Sequence, residues 1–181
     1  NTLKFIRKPV NLAKVKETIK MANKLGFWTQ GNFIIGFPYE TKEEIEETIK
    51  YAYNSGLDYV FFFVAKPYAG SEMYEIFKEE ALLNTIVRSS HIERSDYDTK
   101  TMKAGDLNEI CRNAFKGFLI HKISFYFKPT NFCNYLLPKL CSFQDIKYAL
   151  KILIVLITNK VIPILKPNFF LKSISKEKEH S

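Results

Sequence analysis

The segment Gly36-Phe37-Pro38 ends a run of strand-like apolar continuity, Asn32 to Phe37, and hands over at Thr41 to a helix. A strand that stops at glycine has no Cβ there, so a flat ligand can approach its backbone, and Pro38 restrains the path of exit. The residues alone leave two readings open, a ligand-binding turn and a tight strand-to-helix connection with no ligand. Phosphate loops are excluded: the chain has neither G-x-x-x-x-G-K-[ST] nor G-x-G-x-x-G, so it lacks the glycines and lysine that wrap a di- or triphosphate. A second turn, Pro67-Tyr68-Ala69-Gly70-Ser71, follows the next apolar run. Asp96, Tyr97 and Asp98, in the polar segment 84–104, are the candidates for proton transfer, because long polar loops often carry function. A solvated loop is the simpler reading of them, and no general base is singled out. Cys111, Cys133 and Cys141 form no C-x-x-C, and His91, His121 and His180 are scattered, so no metal site built from this chain alone is expected.

The elements that must position these turns can be read from a repeat. Glu17 to Gly26, "ETIKMANKLG", aligns with Glu47 to Gly56, "ETIKYAYNSG", and each copy is followed by an apolar run. Stacked αβ units produce this pattern. Asn11 is the expected cap of the first helix, with Val15, Ile19 and Ala22 as its apolar stripe. Thr41 and Glu44 form a T-x-x-E capping box for the second, with Ile45, Thr48, Ile49 and Ala52 inward. Neither Asn32 to Phe37 nor Tyr59 to Pro67 alternates, which predicts strands covered on both faces and hence a parallel α/β sheet. In such folds ligands sit at the C-terminal ends of the strands. A short helix is expected from about Ser71, with Met73, Ile76 and Phe77 inward. A long helix is expected with Asp106 as its cap and Leu107, Ile110, Cys111, Ala114, Phe118 and Phe125 on its apolar side, and Pro129 stops it. Ser142 can cap a last helix with Phe143, Ile146, Leu150, Leu153 and Ile157 in line and Lys147 and Lys151 beside them.

With 181 residues, 46% of them hydrophobic, the chain is long enough to bury a core and is not disordered by composition. Its net charge of +8 is uneven, near neutrality over residues 1 to 99 and strongly basic over 100 to 181. No nucleic-acid module accompanies that charge, so no nucleic acid is expected as a partner. The start "NTLKFIRKPV" shows no basic-then-apolar export segment, which predicts a cytoplasmic setting. The run "ILIVLI" is too short and too interrupted to span a bilayer.

The stretch from Gly31 to Glu75, with Gly36-Phe37-Pro38-Tyr39-Glu40-Thr41 and Pro67-Tyr68-Ala69-Gly70-Ser71 as its two turns, resembles the second half of the catalytic domain of radical S-adenosylmethionine enzymes. "LKFIRKPVNLAKVKETIKMANKLGF" looks like the helix that precedes it in that family. "FYFKP", Phe125 to Pro129, looks like a motif of the cobalamin-associated members. The resemblance implies the C-terminal half of a partial (β/α)6 TIM-like barrel over residues 1–83; the residues themselves predict a loop or lid over 84–104, a mostly helical auxiliary region over 105–172 and a disordered tail over 173–181. It also implies S-adenosylmethionine lying across the strand ends, against Ile34, Gly36, Pro38 and Val64, with Tyr68, Asp96 and Tyr97 on the substrate side.

Asn32 and Tyr39 stand where the family pattern has Gly and an acid, and Glu40 comes one place late. The family's C-x-x-x-C-x-x-C loop, which holds a [4Fe-4S] cluster and lets the enzyme cleave S-adenosylmethionine to a 5′-deoxyadenosyl radical, is not in this sequence. The resemblance therefore predicts a C-terminal fragment, inactive alone, whose cluster ligands and any cobalamin site belong to a missing N-terminal part of the same protein, acting on an unknown small-molecule substrate. A reading from another class stands beside it: a non-enzymatic basic module that binds a membrane surface or a partner protein, with the Leu150 to Ile157 helix as a peripheral membrane contact.

Overall fold

The structure, a computed structural model, describes residues 2–83, 96–147, 149–151 and 154. His91, Leu153, Ile157 and the tail 173–181 lie outside the described residues. In chain order the elements are α1 (Thr2–Phe5), α2 (Leu12–Lys24), β1 (Gln30–Ile35), α3 (Lys42–Tyr53), β2 (Tyr59–Val64), α4 (Glu72–Glu79), α5 (Ala104–Tyr126) and α6 (Pro129–Asn131). A π-helical turn, Phe132–Leu136, and a 3-10 turn, Leu137–Lys139, follow α6.

Local chemistry sets most helix starts. The Asn11 side chain accepts the amide N–H groups of Ala13 and Lys14, two donors that α2 cannot satisfy internally. Thr41 and Glu44 close the capping box of α3 in both directions, and Ser71 caps α4 by accepting the Tyr74 amide. The start of α5 differs from expectation: the helix begins at Ala104, ahead of Asp106, which falls in its first turn. Its cap comes from the preceding loop, where Asp98 accepts the Ala104 amide at 2.8 Å and pairs with Lys103 at 2.9 Å. That pairing and that amide hold the Asp98 carboxyl below the usual carboxylate range.

β1 and β2 pair in parallel, from Gln30 opposite Tyr59 to Ile35 opposite Val64. Opposite partners share a face. Ile35, Val60, Phe62 and Val64 turn to one side, where they are buried with Ile19 of α2, Ile45 and Ala52 of α3, and Leu107, Cys111, Ala114 and Phe118 of α5. The other side, Gln30, Asn32 and Ile34 beside Tyr59, Phe61 and Phe63, is only partly covered. The expectation of strands covered on both faces therefore holds on one face among the described residues. Unbroken apolar character came from side chains such as Ile34 and Phe63 that stand on the partly open side.

α5 belongs to this core. Its Cys111 thiol donates to the Phe62 carbonyl, Phe115 stacks on Phe61 at 5.8 Å, and the Tyr53 hydroxyl of α3 donates to the Ala114 carbonyl at 2.7 Å. The chain divides into two compact units, Asn1–Lys139 and Leu140–Ser181, so the helix beginning at Ala104 is grouped with the strands.

Candidate functional site

At the C-terminal end of β1 the chain turns through Gly36, Phe37, Pro38 and Tyr39, and the turn is held by a side chain that sequence reasoning treated only as a displaced acid. Glu40 is buried. One carboxylate oxygen accepts the amide N–H of Gly36 at 2.6 Å and that of Phe37 at 3.2 Å, and the other accepts the Thr2 hydroxyl at 3.1 Å. Burial raises the Glu40 pKa, and the three donors work against that rise.

The same turn binds the loop before α5, where Thr101 donates its hydroxyl to the Glu40 carbonyl at 2.5 Å and Lys100 its amide to the Pro38 carbonyl at 3.1 Å. Tyr39 donates its hydroxyl to Glu80 at 2.7 Å, and Lys100 pairs with that same carboxylate. Phe5 of α1 meets the rings of Phe37 and Tyr39 edge-on. Three segments distant in sequence thus converge on one turn.

Each residue predicted for the site has a definite position. Ile34 is 50% exposed and lies opposite Phe63 on the partly open face. Gly36 has φ +81, and a Cβ there would stand 3.1 Å from Val64 and 3.2 Å from Leu107. The missing Cβ thus makes room for the core, while the backbone bends in the left-handed region that favours glycine. Val64 and Pro38 are buried. Tyr68 is exposed, and its carbonyl accepts the Ser71 hydroxyl at 2.7 Å. Asp96 is exposed, whereas Tyr97 is buried with its ring edge-on to Phe77, and burial raises its hydroxyl pKa. Ile34 and the Gly36 turn are therefore neighbours at the strand end, and Tyr97 packs against α4.

At the opposite, N-terminal end of the strands lies a second polar cluster that the sequence reading missed. Asp58 is buried and accepts the Thr29 amide at 2.7 Å, the Thr29 hydroxyl at 2.9 Å and the Tyr126 hydroxyl, and it pairs with the buried Lys139. Lys139 also donates to Asn23 at 2.6 Å and lies 5.2 Å over the Trp28 ring. Asn23 in turn donates to the Gly56 carbonyl at 2.9 Å. Burial lowers the Lys139 pKa, against the pull of Asp58. Nearby, Lys122 sits over the rings of Phe125 and Tyr126, and burial lowers its pKa to about 8. The available signal was an aspartate directly before an apolar strand and a lysine inside the apolar "LLPKL". Every polar group in this cluster is engaged with its neighbours, which marks it as a structural tie.

No protein-family model matches the chain. Over 132 residues it is 33% identical to an uncharacterized methyltransferase of Pyrococcus horikoshii, covering 70% of this chain and 26% of that protein. Over 75 residues it is 39% identical to the cytidylyl-2-hydroxyethylphosphonate methyltransferase of Streptomyces wedmorensis, covering 38% of this chain and 14% of that protein. The chain thus spans about a quarter or less of the length of these curated relatives, and both are named as methyltransferases.

The residues present differ in how they suit the implied cofactors. Ile34, half exposed, stands opposite Phe63 on the partly open face, and apolar side chains of this kind line small-molecule sites. The cysteines do not fit an iron–sulfur cluster: Cys111 is buried and bonded to Phe62, and Cys133 and Cys141 are exposed. Among the described residues no three His, Cys, Asp or Glu side chains converge as metal ligands.

Proposed function

We propose that this chain is the adenine-side wall of an S-adenosylmethionine site in a radical S-adenosylmethionine enzyme, folded as the C-terminal half of a partial (β/α)6 barrel. The observation that carries the reading is the pairing of Ile34 with Phe63 at the C-terminal ends of two parallel strands, beside the turn that Glu40 braces. Ligands of parallel α/β folds collect at that end. The names of the two relatives favour methyl transfer as the outcome.

Within this reading Ile34 gives the adenine an apolar contact, and Phe63 extends that surface. Gly36 allows the backbone to bend away from the ring, and Glu40 keeps that bend rigid. Val64 and Pro38 support the turn from behind, and Tyr68 and Asp96 form the rim toward substrate. S-adenosylmethionine would supply an activated methyl group or, after one-electron reduction, a 5′-deoxyadenosyl radical. The [4Fe-4S] ligands and any cobalamin site belong, in this reading, to polypeptide upstream of Asn1.

The test begins with the coding sequence upstream, where an in-frame C-x-x-x-C-x-x-C is expected. The full-length protein, reconstituted without oxygen, should then form 5′-deoxyadenosine or S-adenosylhomocysteine from S-adenosylmethionine. Ile34→Asp should raise KM for S-adenosylmethionine by roughly tenfold or more, the loss of an apolar contact, with an unchanged thermal melt. A full-length protein that does not bind S-adenosylmethionine, or an Ile34→Asp variant with normal KM, would overturn the assignment.

A further inference from the structure

Residues 143–147 and 149–151 are helical, and the start of this segment is closed by a reciprocal cap. Ser142 accepts the Asp145 amide at 3.2 Å, and Asp145 accepts the Ser142 amide at 2.8 Å and its hydroxyl at 2.7 Å. Phe143 is 81% exposed, Ile146 43%, Leu150 53% and Ile154 58%. At 3.6 residues per turn these four fall within an arc of about 80°. Lys147 and Lys151, both exposed, follow along one border of that arc, and Asp145 falls on the opposite side of the helix.

We propose that this helix lies in the plane of an anionic lipid surface, with Phe143, Ile146, Leu150 and Ile154 among the acyl chains and Lys147 and Lys151 at the headgroups. The arrangement suits a bilayer interface because the lysine stems can follow the apolar stripe downward while their amines stay at the level of the lipid phosphates. Charge complementarity points to lipid over protein: residues 140 to 181 carry seven lysines against three acidic residues. A second copy docked on the same stripe would bring its own lysine row against this one. The stripe is also narrow, and four side chains bury far less than the ~1,000 Å² of a stable protein interface. Among the described residues no helix is long and apolar enough to cross a membrane.

The test is co-sedimentation of the whole chain with vesicles of phosphatidylcholine alone and of phosphatidylcholine with about 30% phosphatidylserine. Binding is expected only to the anionic vesicles and should fall at least tenfold between about 0.05 M and about 0.5 M salt. Lys147→Gln with Lys151→Gln should lower it by roughly tenfold or more. Phe143→Ser with Leu150→Ser should abolish it, with circular dichroism and melting unchanged. Equal, salt-independent binding to neutral vesicles would overturn the role of the lysines. Absence of binding to either vesicle would overturn the proposal, and a shift from dimer to monomer in the Phe143→Ser, Leu150→Ser variant would then assign the stripe to a second copy.

Discussion

The Glu40 carboxylate holds the Gly36 amide at 2.6 Å, fastening the first residue after β1 to a side chain four positions later. With Glu40→Ala, the Gly36 and Phe37 amides lose their acceptor in a buried place. This should cost about 2–4 kcal/mol, the desolvation of unpaired donors. Glu40→Gln should cost less than about 1 kcal/mol, because its carbonyl can accept both amides and its NH2 can donate to the Thr2 oxygen. Urea unfolding of the two variants measures the difference, and equal stability would mean the turn is held by other contacts.

The Glu40 pKa lies above its ordinary value, so the folded state binds a proton more tightly than the unfolded chain. The sign follows: stability is greatest below the unfolded pKa, falls as pH rises from there through the folded value, and then levels off. Unfolding of the wild type between pH 4 and 7 should show that decline relative to Glu40→Gln, which has no such proton. A decline of the same size in both proteins would assign it to other groups.

Gly36 and Gly70 have nearly the same left-handed backbone, φ +81 and +86, but different surroundings. A Cβ at Gly36 would press on Val64 and Leu107, and one at Gly70 would meet nothing within 4 Å. Gly70→Ala should cost about 1 kcal/mol, the backbone penalty alone. Gly36→Ala should cost about 2–4 kcal/mol because overpacking adds to that penalty. Paired thermal melts would separate the two contributions.

Lys139 and Asp58 lie 81 residues apart and form a buried ion pair that ties the turn after α6 to the start of β2. Lys139→Met leaves the Asp58 charge without its cation and should cost about 3–5 kcal/mol. Adding Asp58→Asn should recover part of that loss, since Asn keeps its carbonyl as acceptor for Thr29 and can donate its NH2 to the Tyr126 hydroxyl oxygen, without a buried charge. A double variant no more stable than Lys139→Met would show that the geometry of the cluster matters more than its charge.

Lys122 is pushed down to about 8 by burial, with Asp58 favouring its charge and Lys139 opposing it. Between that value and the ordinary lysine range the unfolded chain binds the extra proton, so stability rises with pH. The rise between pH 8 and 10 should be about 2 kcal/mol, and Lys122→Met should flatten it. Tyr126, whose pKa burial and Asp58 push up, works in the opposite direction from about pH 9 upward. Denaturant midpoints at pH 8, 9 and 10 are the measurement.

The helix caps at Asn11, Thr41, Ser71 and Ser142, and the inward residues Ile19, Ile45, Ala52 and Phe118, were legible in the sequence. A cap joins residues within one turn, and a buried stripe needs only a 3.6-residue period, so neither depends on where the rest of the chain goes. The parallel pairing of β1 and β2 followed instead from the repeat of two helix-strand units, because strands joined through a crossover helix run parallel. What the tertiary structure alone decided is which distant groups meet. Glu40 turning back on Gly36 while receiving Thr2, Asp98 capping α5 in place of Asp106, and Lys139 reaching Asp58 and Asn23 all depend on the path of loops between them. That the second sheet face is only partly covered among the described residues was likewise hidden, because an apolar side chain has the same character whether a helix covers it or not. The chemistry of each residue is written in its type, but its partner is selected by packing.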